Sequence, residues 1–279
     1  MNRPSVDQSS FGVCTSIFGH RHALSPAKLR RLSDTGIGWI EIAALQSQHL
    51  EVFDADHVNE LAGAAATLGL KVWSIHAPFC GLAMDDADTR QDGLRKLRRT
   101  IVVASQFAAR CVVVHPGRDV PTVDLRRELA WLNEGLARAQ DDLPTGMVLA
   151  VETMGPKSLA GPADDMLAAL NGLDANRVGI CLDSGHVHVG GDPAEYARAI
   201  AGRIVSVHLH DNHGDRDAHS LPGNGTIDWP ACLKAIREAG YRGPWMGEAG
   251  LEAPGADPLA SVREFVRRMA DFCRAAGVV

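Results

Sequence analysis

The stretch RIVSVHLHDNHGDRDAHSLPGNGTIDW, residues 203–229, changes character partway along, and that change decides the fold. RIVSV is a β-branched run that reads as a buried strand. The Asp, Gly and Asn residues further on are ordinary turn formers, but the HLH that joins the two halves is not loop composition. His208 and His210 therefore stand at the carboxyl end of a strand, with Asp217 and His219 on the loop beyond. Four histidines and four aspartates fall within residues 208–229, a concentration of metal-capable side chains that a simple turn does not require.

Outward from this stretch the same pattern repeats. Strand-like runs occur at FGVCTSI (11–17), WIEIA (39–43), KVWSIHA (71–77), CVVVH (111–115), MVLAVE (147–152), VGICLD (178–183), IVSVH (204–208) and PWMGE (244–248). Segments of helical periodicity separate them, several opening on Ser, Asp or Thr and closing on Gly, as helix capping requires. Repeated strand and helix pairs in 279 residues predict a single α/β domain, a (β/α)₈ TIM barrel over 11–279 preceded by an N-terminal tail over 1–10. A doubly wound open sheet also alternates strand and helix, but neither G-x-G-x-x-G after the first strand nor G-x-x-x-x-G-K-[ST] is present.

Composition narrows the functional classes. The net charge is -6 and there are only five lysines, which argues against nucleic acid as a partner. The six cysteines are scattered without a C-x-x-C pair, so they read as small buried hydrophobes in a reducing, cytoplasmic setting. No run of eighteen apolar residues suggests a membrane span, and the N-terminus carries no apolar signal core.

The last polar residue of each strand is then informative. These are Glu41, His76, His115, Glu152, Asp183, His208 and Glu248, each a carboxylate or an imidazole. One such residue is more often a hydrogen-bonding loop group than a ligand. In a barrel, however, all the carboxyl ends meet at one rim, so residues far apart in sequence become neighbours. Acids and imidazoles gathered there need protons or a cation to offset their mutual repulsion and desolvation, and a divalent metal is the economical answer. His20, His22, His49 and His57 lie outside this pattern and read as solvated or structural.

Taken in order, HAPF at 76, HPG at 115, VET at 151, DSGH at 183, HLHDN at 208, DAHSLPGNGTIDW at 217 and GE at 247 resemble the xylose isomerase-like TIM-barrel superfamily. That superfamily holds the sugar phosphate isomerase/epimerase family and is related to endonuclease IV. In the isomerase and epimerase branch, the resemblance implies one divalent cation at Glu152, Asp183, His208 and Glu248. It also implies substrate contacts from His186 and from Arg216. Glu41 and His76, placed by the strand-end pattern, complete the expected substrate-facing set. The endonuclease branch implies a larger zinc set that adds His76, His115, His186, Asp217 and His219 as further metal ligands.

The donor types suit Mn²⁺ or Zn²⁺, with Mg²⁺ and Co²⁺ as alternatives. The leading expectation is a metal-dependent sugar or sugar phosphate isomerase/epimerase. Glu152 and Glu248 would be its catalytic residues, moving a proton next to a metal-bound carbonyl through an enediolate. A lyase of the inosose or dehydroshikimate dehydratase type would begin with the same proton abstraction. A zinc phosphodiesterase of the endonuclease IV type would need at least two metals about 3.5 to 4 Å apart. A catalytically silent barrel that binds a sugar or a partner protein is the remaining class, though a full ring of ionisable groups has no evident purpose in a binder. The expected partner is a small-molecule sugar or polyol, and relatives are often homo-oligomers.

Overall fold

The IVSVH run is a strand residue for residue, Ile204–His208, and its neighbours arrange themselves around it as a closed ring. The computed structural model describes residues 8–117, 124–251 and 255–278. Its eight strands are β1 Phe11–Cys14, β2 Trp39–Ala43, β3 Lys71–His76, β4 Cys111–Val114, β5 Val148–Glu152, β6 Val178–Asp183, β7 Ile204–His208 and β8 Trp245–Gly247. They form one sheet in the order β7-β6-β5-β4-β3-β2-β1-β8 with every paired neighbour parallel. Leu209 closes the ring by bridging Gly247, its N–H donating to Met246 O at 2.8 Å while Glu248 N donates to Leu209 O at 3.3 Å. The expected TIM barrel is thus the observed fold.

The helices are α1 Pro26–Ser33, α2 Ala55–Leu68, α3 Ala87–Gln106, α4 Leu125–Gln140, α5 Ala163–Ala169, α6 Ser184–His188, α7 Pro193–Ala199, α8 Trp229–Glu238 and α9 Pro258–Ala276. Most begin on an aspartate whose carboxylate accepts a free N–H of the first turn, as Asp54 does from His57 N at 3.0 Å. Asp86 does the same for Thr89 N at 2.7 Å, which is why α3 begins at Ala87, ahead of the DGLRK segment that marked it in the sequence. Apolar helix faces pack on strands that are buried along almost their whole length, as parallel barrel strands must be.

β1 stops at Cys14, three residues before the expected end. The reason is Thr15, whose hydroxyl accepts the Ala43 N–H at 3.0 Å and meets His49 Nε2 at 3.1 Å, diverting the chain into a 3-10 turn over Thr15–Phe18. Of the expected N-terminal tail, residues 1–7 lie outside the described residues, and Gln8–Ser10 form a 3-10 turn that leads into β1. All six cysteines are free and buried. Burial pushes the Cys80 and Cys181 thiols up to about 12, so they behave as packing groups. No helix among the described residues is long and apolar enough to cross a membrane.

Two glycines give opposite tests of this packing. A Cβ on Gly93 of α3 would collide with the carbonyl oxygen of Cys80, whereas one on exposed Gly63 of α2 meets nothing within 4 Å. Gly93→Ala is expected to destabilise by about 1–3 kcal/mol, while Gly63→Ala should stabilise by up to about 1 kcal/mol through helix propensity. Thermal melting of the two variants checks this; equal melting temperatures would contradict the α3 packing described.

Candidate metal centre

Because every strand runs the same way, the polar residues at their ends converge, and the carboxylate of Glu152 at the end of β5 lies at the middle of the resulting cluster. It is 1% exposed. Its Oε2 is 2.9 Å from both His76 Nε2 and His115 Nε2, and its Oε1 is 3.0 Å from His208 Nδ1. Around that same His208 nitrogen stand Glu248 Oε2 at 3.0 Å and Asp183 Oδ2 at 3.9 Å. Glu152, Asp183, His208 and Glu248 therefore present ligand-capable atoms within 4.8 Å of one another, as do His76, His115 and Glu152, and again His186, Asp217 and His219.

The ring nitrogens on the outer side of this cluster fix what the inner ones can be. His76 Nδ1 donates to Ala77 O at 3.1 Å, His186 Nδ1 to Thr153 O at 2.9 Å, and His219 Nδ1 to Glu248 O at 2.9 Å. A carbonyl only accepts, so each Nδ1 carries the proton and, in the neutral ring, Nε2 is bare. Those bare nitrogens face carboxylates: His76 faces Glu152, while His186 and His219 face Asp217 Oδ2 at 3.3 and 2.9 Å. Lone pair against carboxylate is repulsive unless a second proton or a cation lies between them. His208 has carboxylates at both nitrogens, Glu41 Oε2 lying 3.0 Å from Nε2, and a neutral ring has one proton for two sides. The residues thus fit divalent metal, which satisfies bare nitrogens and carboxylates at once, with Glu41 in the outer position that orients a ligating imidazole.

Local chain geometry places these atoms. Asp183 ends β6 and also caps α6, its Oδ1 accepting from His186 N at 2.7 Å. Its own N–H donates to Thr153 Oγ1 at 2.8 Å, which locks β5 and β6 together just below the site. In the loop after β7, Asp211 is the organising group. Its carboxylate accepts from Gly223 N at 2.8 Å, Ile227 N at 3.3 Å and Trp229 Nε1 at 2.9 Å. A side chain on Gly225 would collide with Asn212 O and Asp211 Oδ1, so PGNGTIDW is a loop-building motif. Just ahead of that motif, His219 adopts a left-handed conformation at φ 45°, a strained backbone setting for a residue whose ring faces the cluster.

The structure brings together Glu152, Asp183, His208, Glu248, His76, His115, His186, Asp217 and His219. Two further expected substrate contacts, Arg216 and Glu41, are not among these nine. Arg216 is exposed on the loop. Glu41 is fully buried, and its Oε2 is engaged by Ser74 Oγ at 2.6 Å and His208 Nε2, so it sits behind a ligand-capable ring rather than facing the mouth. Strand-end position alone did not distinguish the two settings. The expected site residues also omitted His210, which is fully buried with Nε2 at 2.9 Å from Asp183 Oδ1. The alternation in HLH was the available signal, because the residue two beyond His208 lies on the same side of an extended chain. His49, with both ring nitrogens engaged by His22 O and Thr15, is structural, as expected from its place outside the pattern. His20 is within electrostatic reach of Glu248, His76 and His219, which places it by the mouth.

A family model described as a xylose isomerase-like TIM barrel matches residues 29–269. The chain is 29% identical over 182 residues to an uncharacterized protein of Methanocaldococcus jannaschii, covering 61% of this chain and 61% of that one, under two thirds of its length. It is 28% identical over 185 residues to a probable endonuclease 4 of Mycobacterium tuberculosis, covering 63% of this chain and 71% of that one. Among solved structures, a D-tagatose 3-epimerase-like protein superposes with TM-score 0.81 at 21% identity, covering 96% of this chain and 98% of that chain. A D-psicose 3-epimerase superposes with TM-score 0.79 at 19% identity, covering 97% of this chain and 100% of that chain. At such identities the likeness speaks for the fold.

Proton binding supplies a test of the ligand set. Burial opposes protonation of His186 and His219. Even so, Asp183 and Asp217 push His186 up to about 11, and Asp217 and Glu248 push His219 up to about 10. Both lie above the ordinary value of 6.5, so without metal the stability their ion pairs contribute is fully present below about pH 6.5 and is lost as pH rises toward those values. Metal must displace the same protons, so its binding tightens over that window. Chelator-stripped protein should melt at falling temperature from about pH 6.5 to about pH 8.5, while the upward shift on adding zinc grows. A zinc shift independent of pH would mean that these imidazoles are not the ligands.

Proposed function

The chain belongs to the xylose isomerase-like TIM barrel family, and on that footing we propose that it is a divalent-metal-dependent isomerase or epimerase of a sugar, sugar phosphate or related polyol. The observation that carries this reading is the convergence on His208 Nδ1 of carboxylates at or just past the ends of three different strands, Glu152, Asp183 and Glu248. Bound among these four residues, a divalent cation would supply the positive charge that makes enolisation of a substrate carbonyl accessible. Glu152 closes β5, and Glu248 follows β8 on the other side of His208, so two ionised carboxylates flank one reaction volume. Burial works against ionisation of each, but the imidazoles around Glu152 and the His208 ring beside Glu248 hold both well below the usual carboxylate range. Each is therefore ionised, and each gains strength as a base only when the imidazole protons that lower its pKa are displaced, since a general base works best with a pKa near the working pH. One removes the proton beside the carbonyl and the other returns it: to the opposite face for epimerisation, to the neighbouring carbon for isomerisation.

His76 and His115 stand 2.9 Å from Glu152 Oε2, and His186 stands 3.6 Å from Glu152 Oε1, close enough to reach a substrate hydroxyl at the same volume. Phe79, 41% exposed just past β3, offers an apolar face beside the mouth for the carbon side of a polyol. The net charge of -6 and the presence of only five lysines favour a substrate that is not a polyphosphate.

A second reading has its own support. The groups His76, His115, Glu152 and His186, Asp217, His219 are assembled beside the central one, and more than one ion held there would suit hydrolysis of a phosphodiester. The similarity to a probable endonuclease 4 points the same way.

Turnover of ketoses and inososes in deuterated water, with manganese, cobalt or zinc, separates these readings. The isomerase reading expects deuterium at the carbon next to the carbonyl, and a loss of about 100-fold or more in kcat for Glu152→Gln and Glu248→Gln. Loss of water from the substrate would instead identify a lyase. Cleavage of a phosphodiester with no exchange into any ketose would overturn the isomerase reading in favour of the second.

A further inference from the structure

His210 belongs to none of the roles above, yet the chain around it is shaped to hold it. It is fully buried. Ser184 Oγ donates to its carbonyl at 2.7 Å and accepts its N–H at 3.0 Å, closing a small ring of bonds between β6 and β7. Gly185 is required next to it, since a Cβ there would collide with the imidazole. The Ser and Gly of DSGH thus serve a histidine that lies beyond the next strand.

Two contacts leave this ring toward the candidate ligands. Nε2 lies 2.9 Å from Asp183 Oδ1 and 3.0 Å from Oδ2, and its proton is the only one the ring can give that carboxylate. The ring face lies on His219, centroids 4.0 Å apart and planes 11° from parallel. Nδ1 is buried without a hydrogen-bond partner among the described residues, 3.7 Å from Asp217 Oδ1. His210, His219 and Glu248 do present ligand-capable atoms within 4.8 Å of one another, but the ring geometry argues against one ion shared by His210 and His219. A cation lies near the plane of each imidazole that ligates it, and two nearly parallel rings at this separation have no such plane in common.

We propose that His210 is a positioning residue that couples the two metal-ligand groups: its Nε2–H fixes the carboxylate of Asp183 in the central group, and its ring face fixes the imidazole of His219 in the loop group. This rests on the reading that the mouth holds divalent metal. Outer partners of this kind orient ligands and typically change metal affinity by about 10- to 100-fold when removed.

The two contacts can be parted. His210→Gln keeps an N–H donor for Asp183 and removes the ring; His210→Phe keeps a ring against His219 and removes the donor. Zinc titration by calorimetry and cobalt absorption spectra of chelator-stripped protein give the affinity and ligand field of each site, with Glu152→Gln and Asp217→Asn marking which step belongs to which group. His210→Phe should weaken the central step about 10- to 100-fold and spare the loop step, and His210→Gln should do the reverse. Unchanged steps in both variants, or equal loss of both steps in both, would overturn the coupling. A wild-type protein that binds only at the central group overturns the His219 half. One that takes up no metal removes the metal reading itself, and the coupling falls with it. Circular dichroism checks folding. Should both variants unfold, ¹⁵N NMR of the wild-type protein decides: a protonated Nε2 with a bare Nδ1 on His210 is expected, and a bare Nε2 overturns the proposal.

Discussion

At the mouth of this barrel, three imidazoles have their Nδ1 proton claimed by a backbone carbonyl, and the remaining nitrogen of each is turned onto a carboxylate. That constraint governs the rest of the site. Carbonyl acceptors cannot exchange roles with the ring, so the inner nitrogens of His76, His186 and His219 are bare unless a second proton arrives. His208 extends the same shortage to the centre, with Glu41 on one side and three carboxylates on the other. Protons can fill the positions one by one, which is what raises His186 and His219 so far. Divalent cations fill them more completely, because each satisfies several nitrogens and oxygens together.

The scaffold holds this arrangement by giving single residues two duties. Asp183 is the last residue of a strand, the cap of a helix and a candidate ligand. Thr153 bonds the Asp183 N–H through its hydroxyl and the His186 ring through its carbonyl. Such shared duties leave little freedom for the donors to drift apart, which matters where like charges would otherwise separate them. Of the four aspartates in residues 208–229, Asp211 builds the loop, Asp228 caps α8 and Asp217 meets the imidazoles, while Asp215 is exposed. Two of the four aspartates are therefore architectural, and one joins the candidate ligands.

Much of this was legible in the sequence. β2, β6 and β7 match the expected strands residue for residue, because β-branched and aliphatic runs bounded by polar residues have little alternative in a parallel sheet. The strand-end rule located Glu152, Asp183, His208 and Glu248 because a barrel converts chain position into spatial position. The rule failed where side-chain direction mattered. Glu41 ends up behind His208 because Ser74, on the neighbouring strand, holds its carboxylate there. The length of β1 depended on Thr15 capturing the Ala43 N–H, a contact 28 residues apart that no local pattern displays. His210 was passed over because its purpose lies in Ser184 and Gly185, a strand earlier, where the sequence shows only small residues.

The central claim is that cations, rather than protons, close the inner face of this imidazole and carboxylate cluster. An anomalous difference map at the zinc or manganese edge, from crystals of protein purified without chelator, tests it directly. The account predicts a peak about 2.0 to 2.2 Å from His208 Nδ1, within bonding distance of Glu152, Asp183 and Glu248. No peak at that position, with metal supplied and the side chains arranged as described, would mean that protons alone hold the cluster together.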